Sequence, residues 1–138
     1  MKKLLALLMM VIIGIIFCAC GAKPSKEELI VEANRLVAKQ EVSNEGFDIY
    51  REFDEDYDAY CVVVSLDEDF WCTTYSADSP EGRLILQLAE GQCEETIDNL
   101  VESLFNDIKE LFADFDVDVM VGYEDKDGEY TNIHSTVE

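Results

Sequence analysis

Basic side chains, histidine and paired cysteines are all scarce in this 138-residue chain, and each scarcity closes off a class of chemistry. Lysine and arginine together number 10 against 31 aspartates and glutamates, a formal net charge of −21. Nucleic-acid backbones are bound through lysine and arginine, so nucleic acid is excluded as a partner. An anionic lipid surface is disfavoured for the same reason, apart from Lys23 and Lys26 near the start of the chain. His134 is the single histidine. A Ser–His–Asp site would have to use it, since general-base work near neutral pH falls most often to histidine, and no GxSxG elbow accompanies it. A histidine-based zinc site lacks ligands. None of the cysteines, at positions 18, 20, 61, 72 and 93, forms a CxxC pair, which disfavours a dithiol redox site.

The acidic clusters fall short of calcium loops. Asp54-Glu55-Asp56-Tyr57-Asp58 starts with alternating carboxylates, but the sixth position is Ala59 and the twelfth is Ser65. A calcium loop wants glycine and a bidentate glutamate there. Asp125-Lys126-Asp127-Gly128 has its glycine, yet aligning it puts Tyr123 first and His134 twelfth. Both clusters read as hydrophilic hairpin turns. No catalytic, cofactor-binding or metal-ligating residue is assigned.

Long apolar runs are missing too. Lys2 and Lys3 precede Leu4–Phe17, an apolar stretch of roughly 14 residues, where a spanning helix needs about 20. A charged start, a short apolar stretch and a small-residue exit describe an export signal. The exit, Phe17-Cys18-Ala19-Cys20, resembles the lipobox of bacterial lipoproteins, in which a small residue precedes an invariant cysteine. The resemblance implies cleavage after Ala19 and a diacylglyceryl group on Cys20; bulky Phe17 makes Cys18 the poorer candidate. Two acyl chains hold a protein stably where one does not. The expected organisation is a signal peptide over 1–19, a lipidated tether over 20–25 and a single domain over 26–138. The expected location is extracytoplasmic, lipid-anchored at the cell membrane. Loss of the leader removes two bases and no acids, giving a formal charge of about −23.

The remaining stretch of about 119 residues suits one domain with its own core. Ser25-Lys26-Glu27-Glu28 is a capping box, followed by Leu29, Ile30, Ala33, Leu36 and Val37 on one helical face. Phe47, Ile49 and Phe53 alternate as a half-buried strand interrupted by Arg51. Tyr60–Leu66 is apolar at both parities, which predicts a central strand covered on both faces. Phe70–Tyr75 has strand composition. Ser79-Pro80 reads as an N-cap and first helical residue before a short helix carrying Leu84, Ile85, Leu88 and Ala89; Leu84, Leu86 and Leu88 would also suit a strand, the helix is preferred, and Gly91 ends the element either way. Ile97, Leu100, Val101, Leu104, Phe105, Ile108, Leu111, Phe112 and Phe115 form one long stripe. Val117, Val119, Val121 and Tyr123 alternate, Asp127-Gly128 marks a turn, and Tyr130–Val137 returns. In the returning strand, Ile133 and Val137 take the apolar side and His134 faces solvent with Asn132 and Thr136.

These signals predict an α+β fold: two layers, an antiparallel sheet of about four strands with helices on one face, in the order αββ(α)αββ. The pattern loosely resembles small uncharacterised lipoproteins of Gram-positive bacteria, a resemblance that implies an address rather than an activity. An exported location permits a disulfide, with Cys61–Cys72 the first pairing to consider and Cys61 as a small core residue the other reading. Trp71, Phe70 and Tyr75 are either core aromatics or an exposed partner surface. The expected function is a lipid-anchored, non-enzymatic domain binding a protein partner, a basic one by charge, or serving an envelope assembly. The alternative is a carboxylate-dependent cell-envelope hydrolase, which predicts paired carboxylates in a concave pocket, one with a raised pKa.

Overall fold

The computed structural model describes residues 23–137. The leader, Cys18 and the expected lipid attachment at Cys20 lie outside the described residues. Helix α1 (Lys26–Ser43) starts with the capping box its sequence predicts. Ser25 Oγ accepts from the Glu28 amide at 3.2 Å, and the Glu28 carboxylate accepts from the Ser25 amide at 2.9 Å. Leu29, Ala33 and Val37 are its buried edge. Asn44 caps the helix, and Gly46, at φ 92°, turns the chain into the sheet with a conformation that L side chains rarely adopt.

Strands β1 (Phe47–Asp54) and β2 (Ala59–Leu66) pair antiparallel through the acidic turn. Asp54 Oδ1 accepts from the amides of Asp56 and Tyr57, and Asp58 takes a positive φ of 46°, so turn chemistry accounts for these acids. In β2, Tyr60, Val62, Val64 and Leu66 are buried while Cys61, Val63 and Ser65 are half-buried. The strand is central, as its composition predicts. Among the described residues, however, only one of its faces is covered by helices.

The chain then forms α2 (Glu68–Trp71), α3 (Pro80–Gln92) and α4 (Glu94–Leu111) before β3 (Asp118–Glu124) and β4 (Tyr130–Ser135). Two expectations change in the middle. Phe70–Tyr75 is not a strand: Asp67 Oδ1 caps the amides of Asp69 and Phe70, which starts a single helical turn. That turn is held because Trp71 Nε1 donates to the Gly46 carbonyl at 2.9 Å, a tertiary bond that overrides local propensity. Helix α3 begins at the predicted Ser79 cap but buries Gly82, Leu86 and Ala89, leaving Leu84 and Leu88 exposed. It also runs past Gly91 to Gln92.

The sheet order is β1-β2-β3-β4. The outer pairs are antiparallel hairpins, but β2 and β3 run parallel, with Tyr60 opposite Val119 and Val62 opposite Val121. The sheet is therefore mixed, not antiparallel throughout. Two strands joined by a long helical segment return in the same direction, which is the connection that parallel neighbours require. Helices α1 and α4 lie side by side on one face, α1 against β1 and α4 against β3 and β4. The stripe of α4 buries Ile97, Leu100, Val101, Leu104, Phe105 and Ile108, and Phe112 continues it at the C-cap. The architecture is α+β in two layers, as the sequence predicts.

Strand β4 carries a further correction. Val121 faces His134 but Tyr123 faces Thr131, so β4 holds one residue more than β3 across this interval. Asn132, at φ 49°, is where the extra residue sits. One inserted residue exchanges the two faces of a strand beyond it. His134 is consequently turned in, its ring 5.5 Å from that of Phe105, while Ile133 and Val137 are turned out and half exposed.

Candidate functional site: an acidic cleft at the ends of the parallel strands

Because β2 and β3 run parallel, they deliver the chain to the same end of the sheet. From there β2 continues into α2 on the helical side, while β3 continues into the 125–128 turn towards β4. Chains that part at neighbouring strand ends leave a crevice between them, the usual place for a ligand in open sheets with parallel strands. Here the crevice has a volume of about 560 Å³, with Leu86 of α3 among its lining residues and carboxylates on both sides.

On the β1–β2 side stand Asp48, Asp67, Glu68 and Asp69; on the β3–β4 side stand Glu124, Asp125 and Asp127, with Lys126 the cation among the lining residues. Several of these acids have internal work. Asp67 caps α2. Asp125 Oδ1 accepts from the amides of Asp127 and Glu129 at 2.8 and 3.0 Å, shaping the turn. Asp127 accepts from Lys126 Nζ at 2.6 Å and pairs with Arg83 of α3. The Lys126 hydrogen bond, helped by the Arg83 charge, holds its carboxyl below the usual range. Behind the turn, Glu90 Oε1 receives both the Tyr123 hydroxyl at 3.0 Å and the Lys126 amide at 2.6 Å. Burial, with Glu90 next to it, pushes the Tyr123 phenol well up. Asp48 is the contrasting case. Its side chain is exposed, but the loss of solvent on the protein side raises its pKa, and the charges of Asp67, Glu41 and Asp69 add to the effect. The cleft thus holds a carboxyl that resists ionisation on one side and one that favours it on the other.

The opposite face of the sheet from α1 and α4 is a second surface of note. Its residues follow from the register: Glu52, Cys61, Met120 and Ser135 form one cross-strand row, and Tyr50, Val63 and Gly122 the next, with Ile133 lying against Gly122. Cys61, Val63, Met120, Gly122, Tyr130 and Ile133 enclose an apolar groove of about 210 Å³.

The residues singled out in the sequence are not gathered in either place as a catalytic set. His134 packs on Phe105, remote in role from the cleft. Cys61, Cys72 and Cys93 are all free thiols, so the Cys61–Cys72 pairing is not formed. Cys61 lies on the open sheet face, whereas Cys72 and Cys93 pack against the core. Burial raises the pKa of all three. Trp71 is half-buried and structural, with Phe70 edge-on to it at 5.2 Å; Phe70 and Tyr75 are exposed. The 125–128 turn does reach the cleft, and the 54–58 turn sits at the other end of the strands. Asp48, Asp67, Glu68, Asp69 and Glu124 line the site, with Glu90 behind it, and none of them was singled out by the sequence; only the outward parity of Asp48 between Phe47 and Ile49 was there to be read. Among the described residues, no group of three or more acids, cysteines or histidines is arranged to hold a metal ion. No helix among them is long and apolar enough to cross a membrane. No protein-family model, no curated protein and no solved structure matches this chain.

Proposed function

We propose that this protein is a lipid-anchored extracytoplasmic binding domain that presents an anionic surface to a basic protein partner. The observation that carries the reading is the polarity of the fold. Lys26, the first residue of α1, pairs with Asp58 in the β1–β2 turn at 2.9 Å and lies over the Phe53 ring. The chain therefore enters at the turn end of the sheet, and the acidic cleft lies at the other end. A tether from Cys20 to Ser25 reaches at most about 3.5 Å per residue. Anchored through Cys20, the domain would stand close over the bilayer on its turn end and hold the cleft away from it. Retention of a basic partner by such a surface is electrostatic and weakens with salt.

Replacing Cys20 by serine should abolish incorporation of labelled fatty acid and leave the precursor uncut. Chemical crosslinking in native membranes should then capture a basic partner with the wild-type chain at low salt and less of it at high salt. A wild-type mature N-terminus without acyl groups, seen by mass spectrometry, would end the anchoring half of the reading. A crosslinked partner insensitive to salt would end the other.

A carboxylate-dependent hydrolase is the second reading, and Asp48 favours it: a concave cleft holds this raised carboxyl within the field of Asp67. Asp48→Asn with the chain's cellular phenotype intact would remove that reading.

A further inference from the structure

We infer that the uncovered face of the sheet docks an amphipathic helix of a partner protein, one that sets an apolar stripe on the groove and carries lysine or arginine along its margins. The inference deepens the reading of the protein as a binding domain for a basic partner; it does not depend on the anchor.

Three observations carry it. The first is the bulge at Asn132, which places Ile133 on the outer face beside Met120 and Tyr130, with its side chain half exposed. The second is Gly122. Its φ is not positive, so the backbone does not demand glycine there, yet a Cβ would stand 3.1 Å from Ile133 Cγ1. The missing side chain lets Ile133 lie directly over the strand as one wall of the groove, and a glycine inside a strand often marks such a close approach. The third is charge. The apolar rows run out into Asp48 and Glu124 at one end of the face and Asp54 and Asp118 at the other, with Glu52 on the β1 side. No lysine or arginine occupies an outward position on these strands.

The charge frame selects the occupant. A second copy of this chain would bring like charge against like, and an anionic membrane would do the same. A basic partner meets complementary carboxylates at the two ends of the groove. The face also selects secondary structure. A sheet face offers no free backbone groups, so an extended segment lying on it would leave its own amides unpaired, whereas a helix satisfies its backbone internally. Helices α1 and α4 cover the other face in the same manner, and a docked helix would supply the third layer.

The test uses the full chain in nanodiscs of uncharged lipid, labelled with ¹³C at the methionine methyl groups. Met120 is the methionine within the described residues, so its methyl signal reports on the groove. The probe is a synthetic 18-residue helix of leucine at heptad spacing and lysine elsewhere. The controls are the same residues scrambled and a leucine–glutamate version. The expected result is a saturable shift of the Met120 signal with the leucine–lysine helix alone, reduced by salt. Met120→Lys, at an exposed position that leaves the fold intact by circular dichroism, should weaken binding of that helix by about tenfold or more. An unmoved Met120 signal, an equal response to the scrambled peptide, or unchanged affinity in Met120→Lys would overturn the inference. Sedimentation showing that the chain pairs with itself through this face would overturn it as well. An unlipidated Cys20 would leave these results standing, and a silent Met120 would leave the anchor standing, so the two failures are separable.

Discussion

Gly82 and Gly91 lie on the same helix and answer opposite demands. A Cβ on Gly82 would come 2.0 Å from the carbonyl oxygen of Ser76, a backbone atom that the Ser79 cap holds in place through a 2.6 Å hydrogen bond. Around Gly91 a Cβ would meet nothing within 4 Å. Gly82→Ala should therefore destabilise the domain by about 1–3 kcal/mol, the range of forced overpacking. Gly91→Ala should stabilise it by roughly 0.5 kcal/mol, because alanine loses less backbone entropy in a helix. Urea unfolding followed by far-UV circular dichroism measures both. A single sequence shows two helical glycines and cannot tell them apart, since the difference is made by a loop that folds back over one of them. The capping serines at 25 and 79 were legible because a cap and its amide lie within one turn of each other.

At the scale of elements, legibility follows the same division between local and distant causes. The stripe of α4 could be read residue by residue, because helical periodicity is a local property with many repeats. Residues 70–75 could not: their aromatic and threonine-rich composition suits a strand, and what decides against it is the Trp71 indole meeting a carbonyl 25 positions away. Alternation assigns the faces of β4 the wrong way round for a comparable reason, since it fails wherever one residue is added. Asn132 is the residue that permits it. Its positive φ suits asparagine or glycine, and its side-chain amide donates to Asp98 of α4 at 2.8 Å. Asn132→Val should cost about 1–2 kcal/mol, combining backbone strain with the lost hydrogen bond. Asn132→Gly should be close to neutral, because relief at the backbone offsets the loss of the Asp98 contact. Thermal melts of the two variants separate strain from side-chain bonding. Equal destabilisation would mean that the Asp98 contact, not the backbone, holds the bulge.

Over the whole molecule the dominant quantity is charge, and the cleft is where it concentrates. Of the acids of the cleft, Asp125 and Asp127 were visible in the sequence as a turn, and the others carried no signal of their own. Their convergence was not visible, because it depends on β2 and β3 being parallel, a topological fact with no local signature. Convergence has a measurable consequence. Asp48 has a raised pKa in the folded chain, so its contribution to stability is fully present below its unfolded value and is lost as pH rises through the folded one. Asp127 has the opposite sign: its lowered pKa makes a contribution that is present above the unfolded value and lost as pH falls through the folded one. Mutual repulsion among the remaining carboxylates adds to the Asp48 direction. Stability should therefore rise as pH is lowered from 7 into mild acid, and fall again in strong acid. Asp48→Asn should flatten the mild-acid rise and raise stability at pH 7, by less than about 1 kcal/mol because Asp48 is solvent-exposed and screened. Added salt at pH 7 should stabilise the wild type more than Asp48→Asn, since screening and substitution relieve the same repulsion. Denaturant midpoints across a pH series at two salt concentrations measure all three effects. If the variant gains as much from salt as the wild type does, Asp48 does not share the field of Asp67 and Asp69, and the cleft is wider than its lining residues imply.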